Sequence, residues 1–228
     1  MRIPFSYPDV PALEIPDTIP TAVLSPRSAP LTQSAEALAE EALQNPIGHA
    51  PIENEVSAST KILILVDDIT RQTPAGEILP PLLRRLKKCG IRDASVTVLI
   101  AAGTHTKMSR YEIEKKLGAQ IPQNHQVTLH HWKEEGQLVQ IGKTDDGTPI
   151  RVNRMLGEAD FVIGVGQIVP HRVMGFTGGA TIVQPGVSGK EITGYTHWQS
   201  ALFAGDEILG FPDNPVSPCG VLYRAIAI

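Results

Sequence analysis

The stretch "HRVMGFTGGATIVQPG", His171 to Gly186, sets a histidine at the head of a glycine-rich turn and closes on a Pro-Gly breaker. Gly178 and Gly179 permit close backbone approach or positive φ, and turn amides of this kind can form an anion nest. Plain turn chemistry accounts for the same glycines equally well. The loop is not a P-loop, because no Gly-Lys-Ser/Thr follows at the required spacing. "GVGQIV" likewise lacks the third glycine of the dinucleotide fingerprint. A second segment, "DDITRQTP", places two carboxylates, two threonines and Arg71 just past an apolar run. A guanidinium can grip a carboxylate or phosphate with two parallel bonds. The plainer reading is a solvated loop in which Asp68 caps the next turn. "AAGTHTKMS" carries His105, which can act as a general acid/base near neutrality, a metal ligand or a hydrogen-bonded surface residue. "GYTHWQS" adds His197 beside Trp198, a pair that also suits simple packing. His105, His171 and His197 are too far apart for a local zinc motif, so only the fold can bring them together. His130 and His131 lie in a strand pattern and are expected to face opposite sides.

These segments need elements to position them. "KILILVDD" and "ASVTVLIAAG" are short apolar runs rich in Ile and Val, the signature of buried strands. "HQVTLHHW" reads as a third strand, and Phe161 to Val165 as another buried one after a strand and a short helix in "TPIRVNRMLGEAD". Between them, "AGEILPPLLRRLKKCG" has helical spacing and ends at Gly90, with Pro80 and Pro81 near a first turn or a kink. "SRYEIEKKLG" is a helix with Ser109 as N-cap. "SAEALAEEALQNPIG" is a short amphipathic helix with Leu38 and Leu43 on one face, stopped by Asn45-Pro46. Strands alternating with helices predict an α/β fold, a mostly parallel sheet flanked by helices in a Rossmann-like three-layer domain. In such sheets ligands bind outside the carboxyl ends of the strands, where three of the four segments fall. Ahead of the core, residues 1–50 form an extension rich in proline that ends in the short helix. Extended edge strands and turns lying over the domain are expected there. The whole of 1–228 is read as one domain, with 61–215 as its core.

The chain has 228 residues, 42% hydrophobic and 19% charged, with a net charge of −4. That composition suits a globular domain and argues against a broad nucleic-acid footprint. Its two cysteines, Cys89 and Cys219, have neither metal spacing nor a disulfide framework. No signal peptide and no apolar run long enough to cross a bilayer is evident, so a cytoplasmic location without membrane partners is expected.

Taken together, "DDITRQTP", "GTHTKMS", "PHRVMGFTGGATIVQPG" and "GYTHWQS" resemble, in order and spacing, the N-terminal domain of the nickel-pincer-dependent lactate racemase family. The resemblance spans about Lys61 to Pro215. It implies a racemase or epimerase of a small, lactate-like 2-hydroxy acid, working by reversible hydride transfer to a pyridinium mononucleotide that carries nickel in a sulfur-carbon-sulfur pincer. By position, His105 and His171 would be the two acid/bases and His197 the nickel ligand. Arg71 would hold the substrate carboxylate and Asp68 would orient its neighbours. Thr177, Gly178 and Gly179 would lie along the cofactor. Many members have a lysine at the position of Thr181 that bonds covalently to the cofactor. Threonine has no amine and Lys190 is not aligned, so non-covalent binding is expected, with Thr181 able to donate a hydrogen bond. The closing "SPCGVLYRAIAI" departs from the family's continuation. The family's C-terminal domain is therefore expected to be absent and the chain alone to be a weak or inactive enzyme, with dimerisation or dependence on that missing domain. The alternatives are a non-catalytic homologue binding a nucleotide-like or carboxylate ligand, and a zinc hydrolase using the three histidines.

Overall fold

The computed structural model describes residues 1–5, 9–24 and 32–202. Two compact units emerge, Met1–Thr32 and a larger one from Gln33 onward. In the first, β1 (Arg2–Ile3) pairs antiparallel with β2 (Leu13–Glu14).

The larger unit runs α1 (Ala35–Gln44), β3 (Ile62–Asp67), α2 (Ala75–Lys88), β4 (Val96–Ala101), α3 (Arg110–Leu117), α4 (Gln120–Asn124) and β5 (Gln126–Leu129). It continues through β6 (Leu138–Lys143), β7 (Pro149–Asn153), α5 (Met155–Glu158), β8 (Phe161–Val165), β9 (Pro170–His171), β10 (Gly175–Phe176) and α6 (Lys190–Ala201). The main sheet has the order β5-β4-β3-β8, and every pairing is parallel. The chain steps outward from β3 through β4 to β5 and then returns to the far side of β3. That reversal places a topological switch point at the carboxyl ends of β3 and β8.

The continuous apolar runs of β3 and β4 follow from burial on both faces. Ile62, Ile64 and Val66 join Val96, Val98 and Ile100 under Leu79, Leu82 and Leu86 of α2. Leu63, Leu65 and Leu99 point the other way, toward Leu156, Ile182 and Val187. Side chains alternate across a strand, so a run buried on both faces has no polar positions. Ser109 caps α3 in a full capping box with Glu112, and Ser34 caps α1.

Several expectations are corrected. Leu43 packs on the core, but Leu38 is exposed. Pro80 and Pro81 lie in the second turn of α2 and do not end it. Phe161–Val165 is the edge strand β8, with Val162 39% exposed. The hairpin β6–β7 adds a strand the sequence pattern does not reveal. Among the described residues no helix is long and apolar enough to cross a membrane. Cys219 and the closing stretch lie outside the described residues.

His130 and His131 fall just past β5, not within it. His130 is buried and ties three segments together. Its Nε2–H donates to the Ser188 carbonyl at 3.1 Å, and its Nδ1 accepts from Asn153 Nδ2 at 3.2 Å. Burial, the first cause, and the nearby His131 hold its pKa below the ordinary imidazole value. A histidine kept neutral in the fold stabilises it fully above the unfolded pKa, about 6.5, and less as pH falls through the depressed folded value. The urea midpoint is therefore expected to drop between pH 7.5 and 5.5, and to drop less in His130→Gln. An equal drop in the two proteins would locate the acid sensitivity elsewhere.

Candidate active site

A cleft opens at the carboxyl edge of the sheet. It is lined by Asp67, Asp68 and Arg71 after β3, by Gly103 to His105 after β4, and by Gly166, Gln167 and His171 after β8. Thr177, Gly178, Thr181, Thr193 and His197 also line it. The fold thus brings together residues from four distant segments, including Asp68, Arg71, His105, His171 and His197. Gly179, expected to lie along the cofactor, is not among the lining residues, and neither is Lys190, which begins α6 and is exposed. About 130 Å³ is enclosed.

Backbone packing shapes the floor. Gly186 has no space for a side chain, since a Cβ there would stand 2.1 Å from the Ile182 carbonyl oxygen and 3.0 Å from Ala101 Cβ. Its own carbonyl accepts the Gly103 amide at 2.8 Å, which joins the turn after Pro185 to the His105 loop. Gly186→Ala is expected to cost about 3 kcal/mol by overpacking, read as a lowered urea midpoint. An unchanged midpoint would mean that the turn relaxes freely. Gly178 has φ +83, and a Cβ would meet Ile168 Cγ1 at 2.7 Å. Both the backbone conformation and the space require glycine there.

Asp68 is buried, and its Oδ2 lies 2.6 Å from His105 Nδ1. The other carboxylate oxygen accepts the Thr70 amide and hydroxyl. Burial opposes the charged carboxylate, but the bonds from His105 and Thr70 outweigh it and the Asp68 pKa is lowered. The hydrogen bond to Asp68 raises the His105 pKa against partial burial. The aspartate fixes Nδ1–H as donor, so the neutral ring presents the Nε2 lone pair.

His171 has the opposite setting. Its Nδ1 accepts the amides of Val173 and Met174 at 3.2 and 3.3 Å, which puts the proton of the neutral ring on Nε2. Burial first, then the charges of Arg71, His197 and Arg172, lower its pKa. His197 lies on helix α6, where a polar, turn-rich segment is expected, and its neighbour Trp198 is 66% exposed, so the pair is not a packed core contact. His197 Nδ1 donates to the Thr193 carbonyl at 2.7 Å, which leaves Nε2 free as a ligand atom. Arg71 Nη1 donates to Thr70 Oγ1 at 3.1 Å. The Thr177 hydroxyl donates to the Gln167 carbonyl and accepts the Val169 amide, clamping the β9–β10 hairpin. Thr181 Oγ1 spends its proton on the Gly178 carbonyl at 2.8 Å. Toward any other group that oxygen is an acceptor.

Sequence reasoning overlooks a supporting layer: Asp67, Gln167 and the buried Lys116. Gln167 Oε1 accepts the Gln72 amide at 3.1 Å, and its own amide reaches Asp67 Oδ2 at 3.3 Å. The only sequence signal is the doubled aspartate at the end of a buried strand.

A parallel α/β sheet with a histidine-lined cleft at its switch point defines an α/β protein with an acid/base-bearing site. The sequence pattern of the Lactate racemase N-terminal domain family matches residues 9–206, and the chain belongs to that family. It is 29% identical over 213 residues to a lactate racemase of Thermoanaerobacterium thermosaccharolyticum, covering 92% of this chain and 47% of that protein. It is 34% identical over 155 residues to a lactate racemase of Lactiplantibacillus plantarum, covering 68% of this chain and 36% of the relative. The lactate racemase apoprotein of the first organism superposes with a TM-score of 0.74 at 24% identity, over all of this chain and 54% of that one. A Thermotoga maritima protein superposes at 0.69 with 28% identity, over 84% and 47%. The chain spans about half the length of the curated relatives it matches, or less.

Proposed function

We propose that this chain is the acid/base and cofactor-binding part of a racemase acting on a small, lactate-like 2-hydroxy acid. The observation that carries the reading is the convergence of Arg71, Asp68–His105, His171 and His197 on one cleft. Arg71 offers a planar guanidinium for the substrate carboxylate. His105, backed by Asp68, takes the hydroxyl proton at Nε2, and His171 exchanges a proton with the same oxygen from another wall.

The donor set fits a nickel-pincer nucleotide better than a bare metal ion. Among the described residues no group of three or more His, Cys, Asp or Glu could hold a metal alone. That also disfavours the zinc hydrolase. His197 would supply one ligand through Nε2, its tautomer set by Thr193. A metal that arrives with its other ligands needs only that one. When bound, the group supplies the hydride acceptor that no side chain provides. The enclosed volume suits a small acid, while ligand pockets for larger molecules run to about 300–1,000 Å³. Thr177 and Gly178 would lie against the nucleotide. Among the described residues no lysine lines the cleft, and Thr181 has no amine with which to tether the group.

The same threonine favours the second reading, a non-catalytic homologue that binds a carboxylate or nucleotide. Mass spectrometry of the protein, made in a host that synthesises the cofactor and with nickel quantified, separates the two. A nickel-bearing adduct in the native spectrum, lost on denaturation, is expected. No adduct and no nickel would give precedence to the non-catalytic reading.

A further inference from the structure

The cleft rests on a buried cation that the proposed chemistry does not use. Lys116, in the last turn of α3, has a side chain only 4% exposed. Its Nζ stands 2.8 Å from Asp67 Oδ1 as an ion pair, while its directed hydrogen bond goes to the main-chain carbonyl of Arg71, also at 2.8 Å. Desolvating an ammonium and a carboxylate is costly, and such a pair is weak evidence of net stability. Its geometry indicates what it does instead.

Asp67 is the last residue of β3, the central strand at the switch point. Its second oxygen accepts the Thr73 hydroxyl and lies 3.3 Å from the Gln167 amide, so it joins both ends of the loop 68–73 to the start of the loop after β8. α3 is packed closely against α2 at this point. Gly76, in the first turn of α2, packs so close to it that a Cβ would stand 3.3 Å from the Leu117 carbonyl. Lys116 is thus fixed at its base by helix packing and at its tip by Asp67, and from there it holds the one carbonyl that belongs to Arg71. Arg71 in turn donates to Thr70, which donates to Asp68, the partner of His105.

We infer that Lys116 is a positioning residue: with Asp67 it pins the Arg71 main chain, and so sets where the guanidinium stands in the cleft. The functional half of this inference rests on the reading of Arg71 as the carboxylate clamp. The pinning itself does not.

The test uses the 228-residue protein. Asp67→Asn with Lys116→Met removes the tie without leaving a buried charge unpaired. Amide exchange at Thr70, Arg71 and Gln72 is expected to rise about tenfold while β4 amides stay protected, and Lys116→Arg alone should stay within about threefold of wild type. Unchanged loop exchange in the double variant would overturn the inference. If the variant does not fold, wild-type NMR decides. The Lys116 ammonium should show slow proton exchange and a correlation to the Arg71 carbonyl carbon. Exchange as fast as that of exposed Lys115 would overturn the tie. Titration with sodium lactate then separates the two ideas. If Arg71→Gln and the double variant both weaken binding at least fivefold, positioning is supported. If only Arg71→Gln weakens it, positioning fails. If Arg71→Gln leaves lactate binding unchanged, the clamp reading fails and the exchange data still decide the pinning.

Discussion

Asp68→Asn is expected to lower the pKa of His105 and, on the proposed function, to slow cofactor-dependent racemisation roughly 10²–10⁴-fold. The carboxylate does two things that an amide cannot. As an acceptor only, it fixes the His105 proton on Nδ1 and leaves Nε2 available to a substrate hydroxyl. Its hydrogen bond first, and then its charge, favour the imidazolium, which is why the His105 pKa is raised; that is the form His105 would take on accepting a substrate proton. Asparagine can offer its NH₂ to Nδ1 and so select the wrong tautomer. The sign of the pH effect follows. His105 stays protonated to higher pH than a free imidazole, and His171, with its lowered pKa, stays neutral to lower pH. The rate should be bell-shaped, with its alkaline limb above the ordinary imidazole value and its acid limb below it. In Asp68→Asn the alkaline limb should move to lower pH. An NMR titration of the His105 ring in the two proteins measures the shift directly, and identical curves would remove Asp68 from the mechanism. The histidines are not equivalent at rest. His171 must release the Val173 and Met174 amides from Nδ1 before its Nε2 can accept a proton, a demand that His105 does not face.

What could be read from the sequence divides along physical lines. β3 and β4 announce themselves because burial on both faces leaves no polar residue in the run. The capping box of α3 is local chemistry and equally visible. α6 is hidden for the opposite reason. Its buried positions include Thr193, Thr196 and Ser200, whose hydroxyls bond back to carbonyls of Gly189, Ile192 and His197. A helix that buries hydroxyls satisfied by its own backbone shows no apolar stripe, so "GYTHWQS" reads as turn. β6 is hidden because exposed Val139 and Ile141 break the relation between hydrophobicity and burial. The site residues were legible as a set through their order and family resemblance, and their convergence is a product of the parallel topology. Lys116 was not legible. In "EIEKKLG" it is one of two adjacent lysines, and only the packing of α3 against α2 distinguishes the buried one from its exposed neighbour.

His197→Ala is expected to abolish nickel retention in protein isolated from a cofactor-synthesising host, a fall in affinity of at least about 100-fold, since even outer-shell partners of metal ligands cost 10–100-fold. Among the described residues no group of three His, Cys, Asp or Glu donors could hold the metal without it. The loss should be specific. His197 is exposed and, among the described residues, its side chain bonds only to Thr193 in its own helix, so thermal stability should change little. Nickel that persists in the variant would mean that the metal is held entirely by other groups and that His197 has another role. Thr181→Lys approaches the same site from the other wall. Thr181 lines the cleft and is half-buried, and its only side-chain bond is to the Gly178 carbonyl. By the family resemblance, an amine there would stand at the position of a tethering lysine. The native adduct of the wild-type chain should then survive denaturation in the variant. If Thr181→Lys instead binds nickel but releases it on denaturation, the cofactor lies in another register along the Gly178 loop. Thr181 would then be a consequence of local turn chemistry and not the residue that decides how the group is held.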